Sequence, residues 1–452
     1  RSLATTSFYQ RLKLKFKPHT RIVSQKEYLS MHKIPKDIVL GSTNYDGSTP
    51  PIFPAKYRTT FPPISKHFSA PEVFITNMGR CFSVGASNLI TDQKVAVAHD
   101  KFDFSTCLMS EEMHQRVSTF PRPKRLRFNL SFENSTHIAE AGNFLDATSV
   151  NYAHWLTEVL PKIVVFSRLG SFLNTPILID EGLHPNFLEA LHAVIGSSHP
   201  IIIVPPDHIV LCDNLLSVSV VGYSCFSPRN TKSTPDYSKT QSFNKLAFDI
   251  LREIGITHSK KSNKEFPSSV YLTRGSKTRA VRNEPEIRST LEKQGYTSIF
   301  IDDLTFADQV KLFKTVTNIV TPTGAVLANM IFSSNHTNIC VLVPFSQIAN
   351  YSYWLNIAAM NNINMSYVVG DTIDPHLAYH SDFEINTRDI IQALEPGEII
   401  TKPKTLKTKD GIKAYWDDLW TKHNLIELKN IPSNRSLATT SFYQRLKLKF
   451  KP

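Results

Sequence analysis

The chain has 452 residues, a formal net charge of +12 and a pI near 9.3. With 41% hydrophobic and 20% charged residues, the composition is typical of a globular protein that buries cores, and the length allows two domains plus tails. No apolar run is long enough to span a bilayer, and no cysteine pair has the spacing of a zinc site. The charge favours acidic partners (a nucleotide, an anionic lipid or a nucleic acid), although a solvated basic surface explains it equally well.

The chain begins and ends with one segment, RSLATTSFYQRLKLKFKP, at residues 1–18 and 435–452. This identity predicts a tandem chain whose next copy starts at residue 435; an artefact of sequence assembly is the alternative. Because the first residue is arginine, we expect a segment upstream that could hold a signal or an anchor. The alternating basic and apolar residues predict a basic edge strand or a membrane-surface contact, with a solvated terminus as the alternative.

The N-terminal half is expected to contain a basic, irregular lead-in over residues 1–69 and a first domain over residues 70–256. We expect this domain to begin with a small antiparallel β meander and to continue as a Rossmann-like α/β unit. Short β-branched runs between turn residues indicate the meander strands 73–76, 80–84, 88–90 and 94–98. Apolar periodicity indicates helices over 152–169, 186–195 and 243–254, and strands over 176–180, 200–204, 209–212 and 215–221.

A Lys- and Ser-rich stretch, residues 257–268, is predicted to link this domain to a second one. Strands and helices then alternate, which predicts right-handed crossovers, a buried parallel sheet and a second Rossmann-like domain over residues 268–400. The predicted strands are 269–273, 298–302, 318–321, 338–343 and 365–369, with helical segments between them, including 326–332 after a tight turn. A basic helical tail is expected over residues 401–434.

Basic residues follow the first strand of this second domain, and a Pro-Thr-Gly-Ala turn at residues 322–325 follows the third. The basic residues are Arg274, Lys277, Arg279 and Arg282. In parallel α/β sheets, ligands bind beyond the carboxyl ends of the strands. Basic groups and a helix N-terminus at one edge therefore predict a site for a phosphate-bearing ligand.

His154 and Glu158 are four residues apart on the predicted helix 152–169, so they share one helix face. Such a pair can serve acid–base chemistry, with Glu158 orienting His154 or His154 holding Glu158. A surface ion pair or a core histidine is the alternative, and the spacing alone favours that alternative.

Taken together, these motifs resemble those of glycosyltransferase family 61, over about residues 73–344. The resemblance depends on the order and spacing of several short motifs. They are Asn-Tyr-x-His-Trp-x-x-Glu-x-Leu-Pro from Asn151, Tyr-Leu-x-Arg from Tyr271, Arg-Asn-Glu from Arg282, Gln-x-x-Leu-Phe from Gln309, and Thr-Pro-Thr-Gly-Ala-x-Leu-x-Asn-x-x-Phe from Thr321.

The resemblance implies an α/β protein with the GT-B arrangement, in which two doubly wound Rossmann-type domains face a cleft. It implies inverting transfer from a nucleotide sugar, commonly UDP-xylose or UDP-N-acetylglucosamine, to a hydroxyl of a glycan, glycoprotein or glycolipid. No metal or other cofactor is expected. Asp302 and Asp303 are the nearest approach to a metal-binding pair, and they are better explained as the start of a loop.

The resemblance also implies roles for the candidate residues. Glu158 is predicted to be the general base that takes the acceptor proton, with His154 as the second choice. Arg274 and Arg279 are expected to hold the donor diphosphate, with the other two basic residues of their loop as helpers.

Further donor contacts are expected around the tight turn. The backbone N–H groups of Thr323, Gly324 and Ala325 would bind phosphate oxygens at the helix N-terminus. Asn329 and Glu284 are candidates either to contact the nucleoside or to brace the loop, and helix capping is the alternative for Glu284.

The tight turn departs from the family pattern at two positions. The family usually has His-Gly-Ala-Gly-Leu after Gly-Pro, whereas this chain has Thr323 in place of the histidine and Val326 in place of a glycine. A threonine hydroxyl can donate one hydrogen bond to a phosphate but supplies no positive charge. An inactive relative that binds a nucleotide sugar or a glycan is therefore the main alternative.

Two other classes of protein fit poorly. A nicotinamide-dependent Rossmann enzyme lacks support because no Gly-x-Gly-x-x-Gly turn follows a strand. Nucleic-acid binding is not expected because the basic residues cluster in the tails and in one loop.

The cysteines and sequons bear on the compartment. The five cysteines are predicted to be mostly buried hydrophobic residues, and one or two disulfides are the alternative. Sequons at Asn129, Asn134, Asn335, Asn350, Asn364 and Asn434 permit a secretory lumen without requiring one. We expect the Golgi or secretory lumen for a eukaryotic protein, and the cytoplasmic membrane surface, reached through the basic tails, for a bacterial one.

Overall fold

The computed structural model of the chain describes residues 20–395, except 63, 121–123, 130–134, 169–171, 226–228, 230–240, 276–277 and 348. The repeated segments at 1–18 and 435–452 and the predicted tail at 401–434 therefore lie outside the described residues. The described fold is mixed α/β, as predicted. Among the described residues, no helix combines the length and the hydropathy needed to cross a membrane.

The elements are numbered in chain order. The strands are β1 (Thr20–Ser24), β2 (Asp37–Leu40), β3 (Thr43–Asp46), β4 (Ile52–Phe53), β5 (His67–Ala70), β6 (Val73–Asn77), β7 (Cys81–Val84), β8 (Ile90–Thr91), β9 (Val95–Ala98), β10 (Val117–Phe120), β11 (Arg125–Phe128), β12 (Ser135–Asn143), β13 (Ile177–Asp180), β14 (Ile201–Val204), β15 (Ile209–Val218), β16 (Gly222–Ser224), β17 (Gln241–Phe243), β18 (Ser269–Thr273), β19 (Thr297–Phe300), β20 (Asn318–Pro322), β21 (Asn338–Pro344), β22 (Asn364–Thr372) and β23 (Phe383–Glu384).

The helices are α1 (Gln25–His32), α2 (Ser110–Met113), α3 (Tyr152–His154, the π turn Trp155–Val159 and Leu160–Ser167, in one continuous run), α4 (Pro185–Ile195), α5 (Lys245–His258), α6 (Glu284–Lys293), α7 (Phe306–Thr315), α8 (Ser352–Met360) and α9 (Thr387–Leu394). Short 3-10 helices are Ala55–Tyr57, Ser259–Lys261, Ile301–Asp303, Ala325–Phe332 and Pro375–His380.

The larger sheet, called the N-terminal sheet, has the order β10-β11-β1-β9-β8-β7-β15-β12-β13-β14, with β6 beside β15 and β2 beside β6. The strands β15, β12, β13 and β14 run parallel to their neighbours in that order. The strands β7, β8 and β9 form the predicted antiparallel meander. The first strand predicted for the meander, β6, instead pairs with the second half of β15.

The second sheet, called the C-terminal sheet, has the parallel order β19-β18-β20-β21-β22. Its central strands β18, β20 and β21 are mostly buried, as expected for a parallel sheet covered on both faces, whereas the edge strand β19 is partly exposed. In chain order, the second strand lies beside the first on one side and the third lies on the other. The direction in which strands are added therefore reverses between β18 and β20, which makes this point the topological switch point of the sheet.

One large apolar cluster joins the helices of the two sheets. On the N-terminal side, Trp155 of α3 stacks on Phe187 of α4 with ring centroids 5.9 Å apart. On the C-terminal side, Phe306 of α7 packs edge-on against Phe332 at 5.7 Å. The helix α5 contacts α3, α4 and α7, so it packs against helices from both halves.

The described part of the lead-in is not irregular, contrary to the prediction. Strand β1 pairs with β9 in the N-terminal sheet, and β4 pairs with β22 in the C-terminal sheet. These short strands complete sheets whose other members lie far along the chain, and a local sequence pattern carries no signal for such pairing.

Three other elements differ from the prediction. The predicted linker is partly helical, because α5 continues to His258 and a 3-10 turn follows it. The two strands predicted between 209 and 221 are one strand, β15. The segment after the tight turn is the 3-10 helix Ala325–Phe332 rather than an α-helix.

A disulfide joins Cys107 and Cys225, whose Cα atoms are 6.0 Å apart. Cys81, Cys212 and Cys340 are free and buried, as predicted for most of the cysteines. The disulfide fastens the loop after the meander to the end of β16.

Candidate active site

The carboxyl ends of β18 and β20 meet at the switch point of the C-terminal sheet. Arg274 directly follows β18, and Thr323 and Gly324 directly follow β20. The structure therefore brings together the basic loop and the tight turn, 50 residues apart in sequence, because parallel neighbours end at the same edge of a sheet.

Arg274 packs directly on Gly324. A Cβ atom at position 324 would lie 2.5 Å from Nη1 of Arg274, so any other residue here would require the arginine side chain to shift. Nη2 of Arg274 donates to the carbonyl oxygens of Thr278 at 3.3 Å and Arg279 at 3.2 Å, which fixes the side chain across its own loop. Burial and the nearby Arg279 guanidinium lower the Arg274 pKa to about 10, so the group stays charged at neutral pH.

Arg279 contacts the tight turn indirectly, by packing on Tyr379, an aromatic residue that sequence reasoning missed. Its guanidinium carbon is 5.2 Å from the ring centre of Tyr379. Its Nε is buried and has no hydrogen-bond partner among the described residues. The Tyr379 hydroxyl is hydrogen-bonded to Oγ1 of Thr323 at 2.7 Å, so the loop, the turn and the 3-10 helix Pro375–His380 meet here.

Thr323 is fully enclosed by protein groups. Its hydroxyl accepts a hydrogen bond from Nε1 of Trp354 at 3.2 Å in addition to its bond with Tyr379. Its backbone N–H donates to the Leu342 carbonyl at 2.8 Å, and its exposed fraction is 1%. The prediction that the Thr323 N–H binds a phosphate oxygen is therefore wrong, because β21 already takes that donor.

Gly324 and Ala325 begin the 3-10 helix that was expected to present its first N–H groups to a ligand. The first N–H groups of any helix lack partners within that helix. Ala325 is partly exposed, whereas the rest of the 3-10 helix is buried. Of the three N–H donors proposed from the sequence, those of Gly324 and Ala325 keep this role as a prediction.

Glu284 is the first residue of α6, in the position of a residue that stabilises a helix N-terminus. Its Oε1 accepts a 3.4 Å hydrogen bond from the hydroxyl of Tyr271, a β18 residue. Glu284 therefore lies in the first turn of the helix, but the N-cap residue is Asn283, and it makes no side-chain cap hydrogen bond. Arg282, a predicted helper, instead pairs with Asp382 at 2.6 Å, and Lys277 lies outside the described residues.

Asn329 is fully buried and uses its side-chain amide within the protein. Its Oδ1 accepts from the Tyr152 hydroxyl at 2.6 Å, and its Nδ2 donates to Oε1 of Gln309 at 2.8 Å. Both partners belong to the motifs noticed in the sequence. Of the two roles considered for Asn329, this geometry matches that of a residue that braces the loop. It leaves the amide no exposed surface for a nucleoside.

His154 and Glu158 form the pair that their spacing predicted. Nδ1 of His154 is 3.0 Å from Oε1 of Glu158, and the two side chains are 13% and 8% exposed. Burial alone would lower the His154 pKa, but the adjacent carboxylate outweighs burial and raises it above its ordinary value. Burial raises the Glu158 pKa, against the opposing charge of His154.

A π turn carries Glu158, and its cause is local. Pro161 has no N–H, so the carbonyl of Thr157 lacks its usual α-helical partner. The Leu160 N–H bonds to the Trp155 carbonyl across the widened turn. Gly222 of β16 fits against the Thr157 carbonyl, where a Cβ atom would lie 1.8 Å from the oxygen. Single π turns occur often at functional sites.

A cavity in the N-terminal half reaches His154. Its volume is about 40 Å³, room for water rather than for a sugar. Asn88, His99, Glu111, His154 and Tyr223 are among its polar lining residues, and Cys225 brings the disulfide to its wall. Neither Glu158 nor Arg274 is among its lining residues, so within the described residues His154 is the member of the pair that reaches this space.

The two groups of candidate residues are joined by side-chain contacts. Thr157 Oγ1, next to Glu158, is hydrogen-bonded to the hydroxyl of Tyr353 at 2.8 Å. Tyr353 packs against Trp354, and Trp354 bonds to Thr323. The start of α3 also contacts the 3-10 helix Ala325–Phe332 directly. The acid–base pair and the tight turn therefore lie on either side of one packed interface.

No cluster of three or more His, Cys, Asp or Glu side chains suited to a metal ion occurs among the residues that the structure describes. Oδ2 of Asp302, in the sequence pair considered for a metal, accepts the backbone N–H of Gly275 at 2.9 Å. Asp302 and Asp303 lie in the 3-10 helix Ile301–Asp303 rather than at the start of a loop, and this bond gives Asp302 a structural role.

Sequence reasoning missed Tyr379, Trp354 and Tyr152 as contacts of the site. Tyr152 was present in a motif, but its partner Asn329 is 177 residues away. Tyr379 and Trp354 belonged to no motif, and no signal in a single sequence marks an aromatic residue that folds over a distant turn.

An arginine-lined switch point in one parallel sheet, packed against a helix with a buried acid–base pair, is typical of enzymes that transfer a group from a phosphate-bearing donor. The profile of the Glycosyltransferase 61 family matches residues 152–340, a range that includes the acid–base pair and the tight turn. Over this region the chain is similar to that family of glycosyltransferases. No curated protein matches the sequence significantly.

Proposed function

We propose that the chain is an inverting, metal-independent glycosyltransferase that uses a nucleotide sugar, with UDP-xylose and UDP-N-acetylglucosamine as the first donors to test. The single observation that carries the proposal is the contact of Arg274 with Gly324 at the switch point of the C-terminal sheet. A diphosphate placed there would meet a charged guanidinium and the first N–H groups of a helix.

The proposed architecture is GT-B, with an acceptor-side domain over residues 70–256 and a donor-side domain over 268–400. The strand order of the C-terminal sheet and the parallel strands β12 to β15 support this division. The packed interface between α3 and the 3-10 helix Ala325–Phe332 would form the floor of the cleft.

The proposed chemistry is a single displacement at the anomeric carbon. The acceptor hydroxyl loses its proton to the buried pair as its oxygen bonds to that carbon, and the bond from the carbon to the diphosphate breaks. Because His154 is the more exposed member of the pair and reaches a water-sized space, we assign the proton acceptor to His154 and the orientation of its ring to Glu158. This reverses the order of preference drawn from the sequence.

Charge on the departing nucleoside diphosphate would be stabilised by protein groups without a metal ion. Arg274 and Arg279 supply the positive charge, and the buried Nε of Arg279 is a donor with no partner among the described residues. Donors arranged in advance around a leaving group stabilise the transition state without the cost of reorganising solvent.

The experiment that tests the proposal is donor binding and transfer with Arg274→Met. The matched control is Arg288→Met, which removes an exposed arginine from α6 of the same half. We expect Arg274→Met to weaken UDP binding and abolish transfer, and Arg288→Met to behave like the parent. Equal UDP affinity in both variants would contradict the proposed donor site.

One observation favours a second function, a relative that binds a nucleotide sugar without turnover. The hydroxyl of Thr323, at the position where the family has a histidine, is occupied by Trp354 and Tyr379. Tight binding of UDP together with no release of UDP from any tested donor, in the presence of mixed acceptor glycans, would support this alternative.

A further inference from the structure

An aromatic side chain is exposed at the carboxyl edge of the C-terminal sheet. Phe300 is the last residue of β19, and 42% of its surface is open to solvent. Leaving a phenylalanine ring in water forgoes about 1.5–3 kcal/mol of burial. Strand β19 is the neighbour of β18, whose end carries Arg274.

Phe300 lies against the loop that carries Arg274, the residue proposed to bind phosphate. A Cβ atom at Gly275, the residue after Arg274, would be 3.3 Å from Cζ of the Phe300 ring and 3.2 Å from Oδ2 of Asp302. The Gly275 N–H donates to that Oδ2 at 2.9 Å. The loop backbone at Gly275 thus lies next to both an aromatic ring and a carboxylate.

These positions suit the part of a nucleotide that lies beyond its phosphates. An aromatic ring stacks on any nucleobase, because every base has a flat π face. A carboxylate has two oxygens, so after bonding to Gly275 it can still accept from a ribose hydroxyl. Phe300 ends β19 and Asp302 follows it. Strand β19 lies on the side of β18 away from β20. A nucleotide with its diphosphate at the switch point can therefore extend over these two residues.

We propose that Phe300 stacks on the nucleobase of the donor and that Asp302 accepts a hydrogen bond from its ribose. This inference depends on the proposed function, because it assigns the nucleoside part of the same donor site. It identifies the ligand as a nucleoside diphosphate rather than a bare phosphate or diphosphate.

The test compares UDP with inorganic pyrophosphate by calorimetry on the full chain. Phe300→Ala should weaken UDP binding by about 10-fold to 100-fold, the range expected for one lost base stack, and leave pyrophosphate binding unchanged. Phe300→Leu keeps an apolar side chain of similar bulk and should lose UDP affinity to a similar extent. Phe300→Trp keeps an aromatic ring and should bind UDP as tightly as the parent.

The control is Phe120→Ala, which removes another exposed phenylalanine, 37% open to solvent, from β10 of the other sheet. It should bind both probes as the parent does. UDP affinity in Phe300→Ala within twofold of the parent would overturn the inference.

The outcomes separate this inference from the proposed function. If Arg274→Met weakens both probes and Phe300→Ala weakens neither, the diphosphate site stands and the base-stacking role fails. If the parent binds neither probe, the donor site itself fails, and the assignment of Phe300 fails with it.

Discussion

The hydroxyl of Tyr152 donates to Oδ1 of Asn329 over 2.6 Å and joins the two halves of the candidate site. Tyr152 begins the helix that carries His154 and Glu158, and Asn329 lies in the 3-10 helix that follows the tight turn. Together with the Thr157–Tyr353 hydrogen bond, this contact fixes the acid–base pair relative to the proposed donor site.

Asn329→Ala should lower the stability of the protein by about 2–4 kcal/mol, because it leaves the Tyr152 hydroxyl and the Gln309 amide oxygen buried without a partner. The midpoint of urea denaturation measures this loss. Asn335→Ala, at an exposed asparagine, is the control and should change the midpoint little. A stable Asn329→Ala protein with a raised KM for the donor alone would instead identify Asn329 as a donor contact.

Glu158→Gln should move the acidic limb of the pH profile of kcat/KM to lower pH. That limb reports the pKa of the catalytic base, which must lose its proton to act. The carboxylate of Glu158 holds the His154 pKa above its ordinary value against the opposing effect of burial. With glutamine in its place burial remains, so the His154 pKa falls and His154 is deprotonated at lower pH.

His154→Gln is the companion variant and should lower kcat by about 10²-fold to 10⁴-fold, the usual contribution of a general base. If Glu158 were the base, Glu158→Gln would remove the acidic limb instead of moving it. The two variants therefore distinguish the order of roles drawn from the sequence from the one proposed here.

Thr323→Val should cost about 1–3 kcal/mol of stability, because the buried Nε1–H of Trp354 loses its acceptor while the shape of the side chain is kept. Thr323→Ser should recover most of the loss. Thr60→Val, at an exposed threonine, serves as the control. Denaturation midpoints like that of the parent in Thr323→Val would show that the Thr323 hydroxyl contributes nothing to this packing.

The Cys107→Ser/Cys225→Ser double variant should be less stable by about 2–5 kcal/mol, because the disulfide closes a loop with a sequence separation of 118. A reducing agent should lower the denaturation midpoint of the parent and leave that of the double variant unchanged. Non-reducing peptide mapping should find Cys81, Cys212 and Cys340 as thiols. If the reducing agent lowered the denaturation midpoint equally in both proteins, the Cys107–Cys225 disulfide would not be the cause of the loss of stability.

Local pattern predicted the C-terminal sheet well because its strands are short apolar runs between clear helix and turn signals. Helix α7 begins with a capping box in which Thr305 and Asp308 bond to each other's backbone N–H groups. The lead-in was predicted poorly because β1 and β4 are strands only by virtue of distant partners.

Among the candidate site residues, spacing was sufficient where both members lie on one element. His154 and Glu158 are an example, since four residues make one helical turn. Sequence spacing did not predict the contacts of Thr323, because its N–H and hydroxyl bond to residues of other elements: Leu342, Trp354 and Tyr379.

The sequence by itself determined an α/β chain with a basic loop, a Thr-Gly turn and a His-Glu pair, and a similarity to the glycosyltransferase 61 family over residues 152–340, because periodicity, turn residues and motif spacing are local properties. Only the tertiary structure decided which of these groups meet. It placed Arg274 on Gly324, Tyr152 on Asn329 and Phe300 beside Gly275, because contacts between distant segments depend on strand order and helix packing, which no local pattern encodes.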